Sequence, residues 1–297
     1  MKIGMNLPVM VPGLDRDAIL AWSRRIDAGP FSHIGAGERI TFPNPEIMVT
    51  LSAAAAVTSR ARILLDVLVL PMHSAVLKAK QLATLDVLSG GRLSVGVGVG
   101  ARQEDFAAVG APFEKRRLGK LAEQVALMRR VWAGENVVEG ALRPVEPLPV
   151  QPGGPEILAG SLSEASLRSV AHWADGVCGF SFGPSIDEVA DSFRTAREAW
   201  QEAGREAPPR LVTGCWFALG PSPRDQIDRY LGRYLRFLGP GVAEMLAPTV
   251  TTTSAAALVD VVRRLADCGA DELSLVPTTS DPDEIDRVVD ALGGQGM

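Results

Sequence analysis

Hydrophobic positions along the chain follow two alternating patterns, one typical of strands and one typical of amphipathic helices. Short apolar segments alternate with longer ones in which apolar residues recur every three or four positions. The strand-like segments are 2–6, 33–37, 62–70, 92–99, 156–159, 176–180, 211–218 and 271–276. The helical segments are 15–27, 45–58, 75–88, 115–132, 164–173, 186–203, 254–268 and 283–292. Alternating units of this kind predict a parallel sheet with crossover helices.

The number of units favours a closed α/β barrel, the TIM (β/α)8 architecture, over a doubly wound open sheet. Open sheets commonly have fewer strands, and a dinucleotide-binding sheet has a glycine-rich turn directly after its first strand. Two segments interrupt the repeat: 137–154, rich in Pro and Gly, and 222–248, with an extra helical pattern at 224–237. We expect both to be insertions at the C-terminal face. No domain boundary is visible, so residues 1–297 are predicted to form one domain.

Residues 81–100 combine a helix, a glycine turn and a strand that is poor in side chains. Gly96, Gly98 and Gly100 alternate with valines, which leaves one face of the predicted strand without side chains. Three glycines on one face indicate close approach by a ligand or by another backbone. Tight packing inside a barrel is the other interpretation, and it is stronger for Gly96 than for Gly100. The spacing matches neither a phosphate loop nor a dinucleotide fingerprint.

Several polar residues stand where helices are predicted to begin. Asn44 before Pro45 predicts an N-cap followed by an N1 proline, while Ser161 and Ser185 each precede a glutamate by three residues, as in a capping box. Gly160 and Ser161 also follow the fifth strand, where the free N–H groups and dipole of a helix suit an anion. An ordinary N-cap without a ligand is the alternative.

Composition narrows the class of protein. With 46% apolar residues and a formal charge of −5, the chain is typical of a soluble, slightly acidic globular protein. Lys and Arg are outnumbered and scattered, so nucleic-acid binding is not indicated. No apolar run is long enough to cross a bilayer and no export signal is visible, so we expect a cytoplasmic protein. Cys178, Cys215 and Cys268 are far apart, which favours reduced, buried thiols over disulfides; no metal site is predicted.

A series of motifs in fixed order spans roughly residues 1–180. They are Ala79-Lys80-Gln81-Leu82-Ala83-Thr84-Leu85-Asp86-x-Leu88-Ser89-Gly90-Gly91-Arg92, Gly96-Val97-Gly98-x-Gly100, Glu104-Asp105-Phe106, Gly110-x-x-Phe113-x-x-Arg116, Leu127-x-x-x-x-Trp132, Pro155-Glu156-Ile157-Leu158-Ala159-Gly160-Ser161 and Ala174-Asp175-Gly176. A closing unit begins at Gly269. In this combination the chain resembles the bacterial luciferase-like family of flavin-dependent and deazaflavin-dependent oxidoreductases.

The resemblance implies a barrel whose C-terminal mouth holds an isoalloxazine-type ring, with the cofactor phosphate bound after strands five and six. The implied cofactor is a deazaflavin, coenzyme F420, with FMN as the alternative, and the reaction is hydride transfer to, or monooxygenation of, a small organic substrate. The resemblance places F420 first, because the Ala-, Arg- and Gly-rich composition is typical of a high-GC genome and deazaflavin members of the family are common in actinobacteria. A separate flavin or F420 reductase and a homodimer are implied partners, and the small residues of 53–57 suit close helix packing. A non-catalytic flavin-binding or structural barrel is the competing hypothesis.

Strand ends around the predicted mouth supply the expected cofactor-binding residues. These are Asn6, Asp66, Val67, Gly98, Gly100, Arg102, Gly160, Ser161, Phe180 and Ser181. The resemblance also implies a bulge with a non-prolyl cis peptide near Leu65, Asp66 and Val67. Asp66 stands in an otherwise aliphatic strand and needs a partner if it is buried, because an unpaired buried carboxylate is costly.

The predicted catalytic residues are Glu38 and His73. Deazaflavin-dependent relatives that oxidise alcohols often have a histidine just after strand two, where this chain has Glu38 and Arg39. Glu38 is therefore predicted as a general base or substrate-positioning group, and His73 as a replacement base. A rim salt bridge between Glu38 and Arg39 and a capping or surface role for His73 are the alternatives. His33 and His172 are predicted to be structural.

Overall fold

Eight parallel strands form a closed barrel in the computed structural model, which describes residues 1–161, 163–181, 185–239 and 241–293. The strands pair in sequence order, and the last pairs with the first through the register Lys2 to Glu272. Their bounds are β1 Lys2–Asn6, β2 His33–Ala36, β3 Arg62–Leu68, β4 Leu93–Val97, β5 Glu156–Ala159, β6 Gly176–Phe180, β7 Arg210–Phe217 and β8 Glu272–Pro277. The predicted TIM (β/α)8 barrel is confirmed.

Helices surround the barrel at all the predicted positions, and two short helices, Gln103–Ala108 and Val242–Leu246, were not predicted. Their bounds are α1 Arg16–Ala28, α2 Ile47–Ala56, α3 Ala75–Ser89, α4 Gln103–Ala108, α5 Arg117–Trp132, α6 Glu164–Val170, α7 Ile186–Glu202, α8 Pro223–Tyr234, α9 Val242–Leu246, α10 Ala255–Asp267 and α11 Asp283–Gly293. Short 3-10 helices occur at Leu70–Met72, Arg236–Leu238 and Ala247–Thr249. In the described ranges, no helix is both long and apolar enough to span a membrane.

One of the three predicted helix starts is confirmed and two are wrong. Ser185 caps α7 by accepting a hydrogen bond from the backbone N–H of Glu188. The cap of α2 is Glu46, not Asn44, because the Asn44 amide donates to the carbonyl of Pro45 instead. The residue at the N-cap of α6 is Ser163 rather than Ser161. A backbone bond from Ser161 to the carbonyl of Ala159 keeps that segment outside the helix.

The glycine turn and arginine that end α3 form a structural clamp at the N-terminal end of the barrel. Gly90 and Gly91 have φ of +65° and +79°, which only glycine adopts readily. They bring Arg92 to the ends of the neighbouring segments, where its guanidinium donates to the carbonyls of Ala55, Thr58, Ala61 and Ser89. This motif therefore ties α2 and α3 to the start of β3.

The two insertions lie at opposite ends of the barrel. The prediction that 137–154 is at the C-terminal face is wrong, because this segment follows a helix and precedes a strand. It is fixed instead to the end of α3, where the Asp86 carboxylate accepts the backbone N–H groups of Val150 and Gln151 at 2.8 Å and 3.0 Å. The segment 222–248 follows β7 and lies at the C-terminal face, as predicted.

The alanine-rich run 53–57 contributes mainly to the core of the chain itself. Ala54 and Ala55 are fully buried, while Ala56 is exposed. The run therefore does not present a continuous exposed face of small residues, and the homodimer stays a prediction without that support.

Candidate functional site

A cavity of about 450 Å³ opens at the C-terminal end of the barrel. Its wall is formed by the ends of the strands, by the loops directly after them and by α8. Nine of the predicted site residues line it: Asn6, Glu38, Asp66, Val67, Gly98, Gly100, Gly160, Ser161 and Phe180. Strand ends at one face of a parallel barrel converge on one space, which explains why sequence reasoning found them.

The structure does not bring His73, Arg102 or Ser181 to the cavity wall. His73 begins the segment before α3 and turns its imidazole toward Glu38. Arg102 forms ion pairs with Glu104 at 2.8 Å and Asp105 at 3.2 Å. Ser181 is buried and donates its hydroxyl to the Glu188 carboxylate. These contacts direct all three side chains away from the cavity.

Both carboxylate oxygens of Glu38 are engaged by neighbouring groups. Oε2 accepts the backbone N–H of Val69 at 2.8 Å, and Oε1 lies 2.9 Å from His73 Nε2. The side chain is only 2% exposed. Glu38 thus connects the end of β2 to the segment after β3, and it pairs with His73 rather than with Arg39, contrary to the rim salt bridge considered above.

Arg39 is held by aromatic rings of the α8 insertion. Its guanidinium lies 3.8 Å from the centre of the Tyr234 ring and donates to the Tyr234 carbonyl. Phe42 and Phe237 lie at 4.8 Å and 4.9 Å from the same guanidinium. These cation–π contacts fasten the insertion over the end of β2.

The floor of the cavity is a bulge in β3. The peptide bond between Asp66 and Val67 is cis, and the register between β3 and β4 shifts between Leu65 and Leu68. The expectation of a bulge with a non-prolyl cis peptide at this point is confirmed. Its position next to Gly96 explains that glycine, since an added Cβ would lie 2.4 Å from the carbonyl oxygen of Leu65.

Glycines accommodate the side chain of Val67 at the floor of the cavity. A Cβ on Gly98 or Gly160 would lie 3.0 Å or 3.1 Å from the methyl groups of Val67. Gly98 and Gly100 lie beyond the end of β4, contrary to the predicted strand, and Gly100 has a φ of +71° that favours glycine. The packing interpretation is therefore right for Gly96, and it also applies to Gly98 and Gly160, which make room for Val67, and to Gly100, where a Cβ would lie 2.5 Å from a methyl group of Val69. Gly98, Gly100 and Gly160 also line the cavity, which Gly96 does not.

Asp66 has the partner that its burial requires. Asn6 Nδ2 donates to Asp66 Oδ2 at 3.0 Å, and Ser274 also hydrogen-bonds this carboxyl. Burial raises the pKa of Asp66, and the hydrogen bonds from Asn6 and Ser274 offset that effect only in part. An acid with a raised pKa in a cavity is a candidate for proton transfer.

Sequence reasoning missed part of the wall. Tyr230 and Tyr234 stack at 5.5 Å with an interplanar angle of 12°, and both line the cavity. They are the only tyrosines of the chain and stand four positions apart in a predicted helix, which was an available signal. The buried thiol of Cys178 also faces the cavity; burial and the nearby Asp66 raise its pKa well above the ordinary value.

Comparisons with known proteins agree with this architecture. The family model of luciferase-like monooxygenases matches residues 1–283. An uncharacterized protein of Mycobacterium tuberculosis is 33% identical over 229 residues, which are 74% of this chain and 76% of the relative.

Three solved structures share the fold. Monooxygenase RslO1 from Streptomyces bottropensis has a TM-score of 0.82 and 22% identity over 100% of both chains. An F420-dependent secondary alcohol dehydrogenase has a TM-score of 0.77 and 16% identity, covering 98% of this chain and 99% of that one. The oxygenating constituent of 3,6-diketocamphane monooxygenase of Pseudomonas putida, in complex with FMN, has a TM-score of 0.74 and 17% identity, covering 98% and 96%.

Proposed function

The chain belongs to the luciferase-like monooxygenase family, and we propose that it is an oxidoreductase that binds a deazaflavin, coenzyme F420, in the cavity at the C-terminal end of the barrel. Reduced FMN is the alternative cofactor. The bound cofactor supplies the redox chemistry, by hydride transfer or, for a reduced flavin, by reaction with oxygen; the protein supplies binding, orientation and exclusion of water. The substrate is a small organic molecule.

The observation that carries this proposal is the cavity floor at the β3 bulge. Gly98 and Gly160 make room for the Val67 methyl groups, and the three residues together line the floor against which a planar ring can lie. The rings of Phe180 and Trp216, 4.6 Å apart between centroids, add an apolar side wall. Residues of this type suit the hydrophobic part of a cofactor.

Other predicted residues receive proposed roles from their positions. Ser161 follows β5 and Phe180 is the last residue of β6, and we expect the cofactor phosphate after these two strands. Glu38 holds the backbone after the bulge through Val69, so we assign it a positioning role, with His73 as its partner. Arg102 and Ser181 support the site from outside the wall.

The choice between the two cofactors remains a proposal. Structures that share this fold include both an F420-dependent enzyme and an FMN complex, so the fold accommodates either. We put F420 first because the Ala-, Arg- and Gly-rich composition is typical of genomes in which deazaflavin enzymes are common.

An open cavity argues against the non-catalytic hypothesis. That hypothesis expects the mouth to be filled by one of the two insertions. Segment 137–154 lies at the other end of the barrel, and α8 lines the cavity while leaving about 450 Å³ of space.

Titration of the protein with oxidised F420 and, in parallel, with FMN tests the proposal, with cofactor fluorescence as the readout. Ser161→Trp should abolish binding, because a large ring at this position enters the expected phosphate region. Ser59→Trp is the matched control, since Ser59 is exposed and lies in the loop before β3 at the other end of the barrel. If neither cofactor binds the unmodified protein, the proposal fails and the non-catalytic hypothesis replaces it.

A further inference from the structure

Asp66 is the first member of a line of hydrogen-bonded polar side chains that runs from the cavity floor through the barrel. Its carboxyl hydrogen-bonds Ser274, and the Ser274 hydroxyl lies 3.0 Å from His33 Nε2. The other ring nitrogen of His33, Nδ1, lies 2.7 Å from Glu272 Oε1. Ser274, His33 and Glu272 are all buried, so this line crosses the interior without contact with solvent.

The far end of the line reaches the N-terminal end of the barrel. Glu272 accepts hydrogen bonds from the Ser32 hydroxyl and from Arg210, and Arg210 also pairs with Glu156. The side chains of Arg210 and Glu156 are 23% and 26% exposed, and Ser32 is partly exposed. Arg62 also belongs to this charged group, since its Nη2 lies 3.5 Å from Glu156 Oε1. The line therefore joins the cavity floor to solvent on the opposite face.

Two glycines make room for this line. A Cβ on Gly4 would lie 2.0 Å from His33 Nδ1, and a Cβ on Gly35 would lie 1.9 Å from Asn6 Oδ1. The other side of the same interior is apolar and consists of Leu64, Leu158, Cys178 and Val212. Aliphatic residues would fill the barrel without a buried imidazole, so packing alone does not account for the polar side chains.

The geometry allows one proton to be held either on Asp66 or on His33, with Ser274 between them. In one arrangement Asp66 is protonated and donates to Ser274, Ser274 donates to His33 Nε2, and His33 Nδ1–H donates to Glu272. In the other arrangement the Asp66 proton has moved to Ser274 while the Ser274 proton has moved to Nε2. Asp66 is then a carboxylate and His33 an imidazolium, with the same total number of protons and the same net charge.

We propose that Asp66 exchanges a proton with the molecule bound in the cavity and that Ser274 and His33 store that proton in the interior. From the arrangement with an imidazolium, His33 Nε2 gives its proton to Ser274 while the Ser274 proton moves to the Asp66 carboxylate, and Asp66 then passes it to an oxygen or nitrogen of the substrate. Asp66 ends as a carboxylate and His33 as a neutral imidazole, and the reverse reaction returns the proton by the same route. The implied substrate class has a heteroatom whose protonation changes with redox state, as in a carbonyl and alcohol pair. This inference rests on the proposed function for the redox step, whereas the proton line itself does not.

The electrostatics of the two carboxyls agree with these roles. Burial raises the pKa of Asp66, so this group holds a proton more readily than a surface aspartate. Burial also acts to raise the pKa of Glu272, but hydrogen bonds from His33 and Ser32 and the charge of Arg210 lower it well below its usual range. Glu272 therefore remains an acceptor that orients His33, while Asp66 is free to exchange. Opposite pKa shifts of two carboxyls in one hydrogen-bonded network are typical of acid–base sites.

Titration of the ligand-free protein tests the line independently of the cofactor. Because the pKa of Asp66 is raised, part of this carboxyl should stay protonated at a pH where a surface aspartate is ionised. The infrared band of a protonated carboxyl should persist above the ordinary titration range of aspartate and disappear in Asp66→Asn. Absence of this band from the native protein, or an unchanged band frequency in Ser274→Ala, overturns the proposal.

Kinetics of the cofactor-loaded protein provide the second test. Ser274→Ala breaks the line but keeps Asp66 in the cavity, and we expect kcat to fall by about 100-fold with little change in KM. The matched control is Thr213→Val, which removes a buried hydroxyl without a hydrogen-bond partner on the neighbouring strand. Equal kcat in the two variants overturns the proposal. If no cofactor binds, the proposed function fails, and the infrared titration of the ligand-free protein still decides whether Asp66 and Ser274 form the line.

Discussion

Replacement of Gly4 by alanine tests how the barrel accommodates its buried imidazole. The new methyl carbon would lie 2.0 Å from His33 Nδ1 and 2.1 Å from Cε1, while ordinary contact begins at 3.4 Å. The ring must therefore move by about 1.4 Å or the first strand must shift. Either movement lengthens the bonds from the ring to Glu272 and Ser274, which are 2.7 Å and 3.0 Å in the native protein.

The expected cost follows from these two effects. Overpacking of a core costs about 1–3 kcal/mol, and a lost hydrogen bond to a charged group costs about 1.5–3 kcal/mol. We expect the free energy of unfolding of Gly4→Ala to fall by about 3–6 kcal/mol. For a protein of this size the melting temperature falls by roughly 2–4 °C for each kcal/mol.

Urea unfolding of Gly4→Ala, His33→Ala and the double variant measures this effect. Since His33→Ala removes the ring that the new methyl group meets, the double variant should lose much less stability than the sum of the two single variants. Additive losses, or a loss below about 0.5 kcal/mol in Gly4→Ala, would refute the steric reasoning.

Three further predictions concern glycine, arginine and a buried carboxylate. Gly119→Ala in α5 and Gly232→Ala in α8 should each raise the free energy of unfolding by about 0.5–1 kcal/mol in urea unfolding, because an added Cβ meets no atom within 4 Å and alanine favours a helix. Arg92→Met should lower that free energy by about 2–4 kcal/mol, since several backbone carbonyls lose their donor, while cofactor affinity stays unchanged. Because folding lowers the pKa of Glu272, this carboxylate stabilises the folded protein fully above its ordinary pKa of 4.5, and the stabilisation is lost as the pH falls. The melting temperature of Glu272→Gln should therefore fall less steeply than that of the native protein between about pH 5 and pH 3.

Periodicity and strand ends were sufficient to predict the barrel and most of the cavity wall. Both depend on local patterns, because an apolar strand followed by an amphipathic helix leaves few ways to bury its surfaces. Helix starts were less certain. Ser161 has the capping-box spacing, yet Gly160 donates its backbone N–H to the carbonyl of Val97, which holds this segment against β4. A contact between neighbouring strands, made by residues far apart in the sequence, therefore decided where α6 begins.

The polar line could not be predicted by the same means, since it depends on contacts between residues far apart in the chain. His33 and Ser274 are separated by 241 positions. One signal was nevertheless present. Arg62, Glu156, Arg210 and Glu272 are each the first residue of a strand, so charged residues recur at the same level of the barrel. Once the barrel is recognised, charged residues of both signs at the first positions of several strands indicate ion pairs within one layer of the barrel rather than four solvated side chains.

Closure of the barrel by β8 has a consequence for synthesis of the chain on the ribosome. Glu272 and Ser274 provide the partners of His33 and Asp66, but they emerge long after both. A nascent chain that ends before residue 272 has no partner for the imidazole and no strand to cover β1. Stable co-translational folding of an N-terminal portion is therefore disfavoured, and the barrel forms only when its last strand has been released.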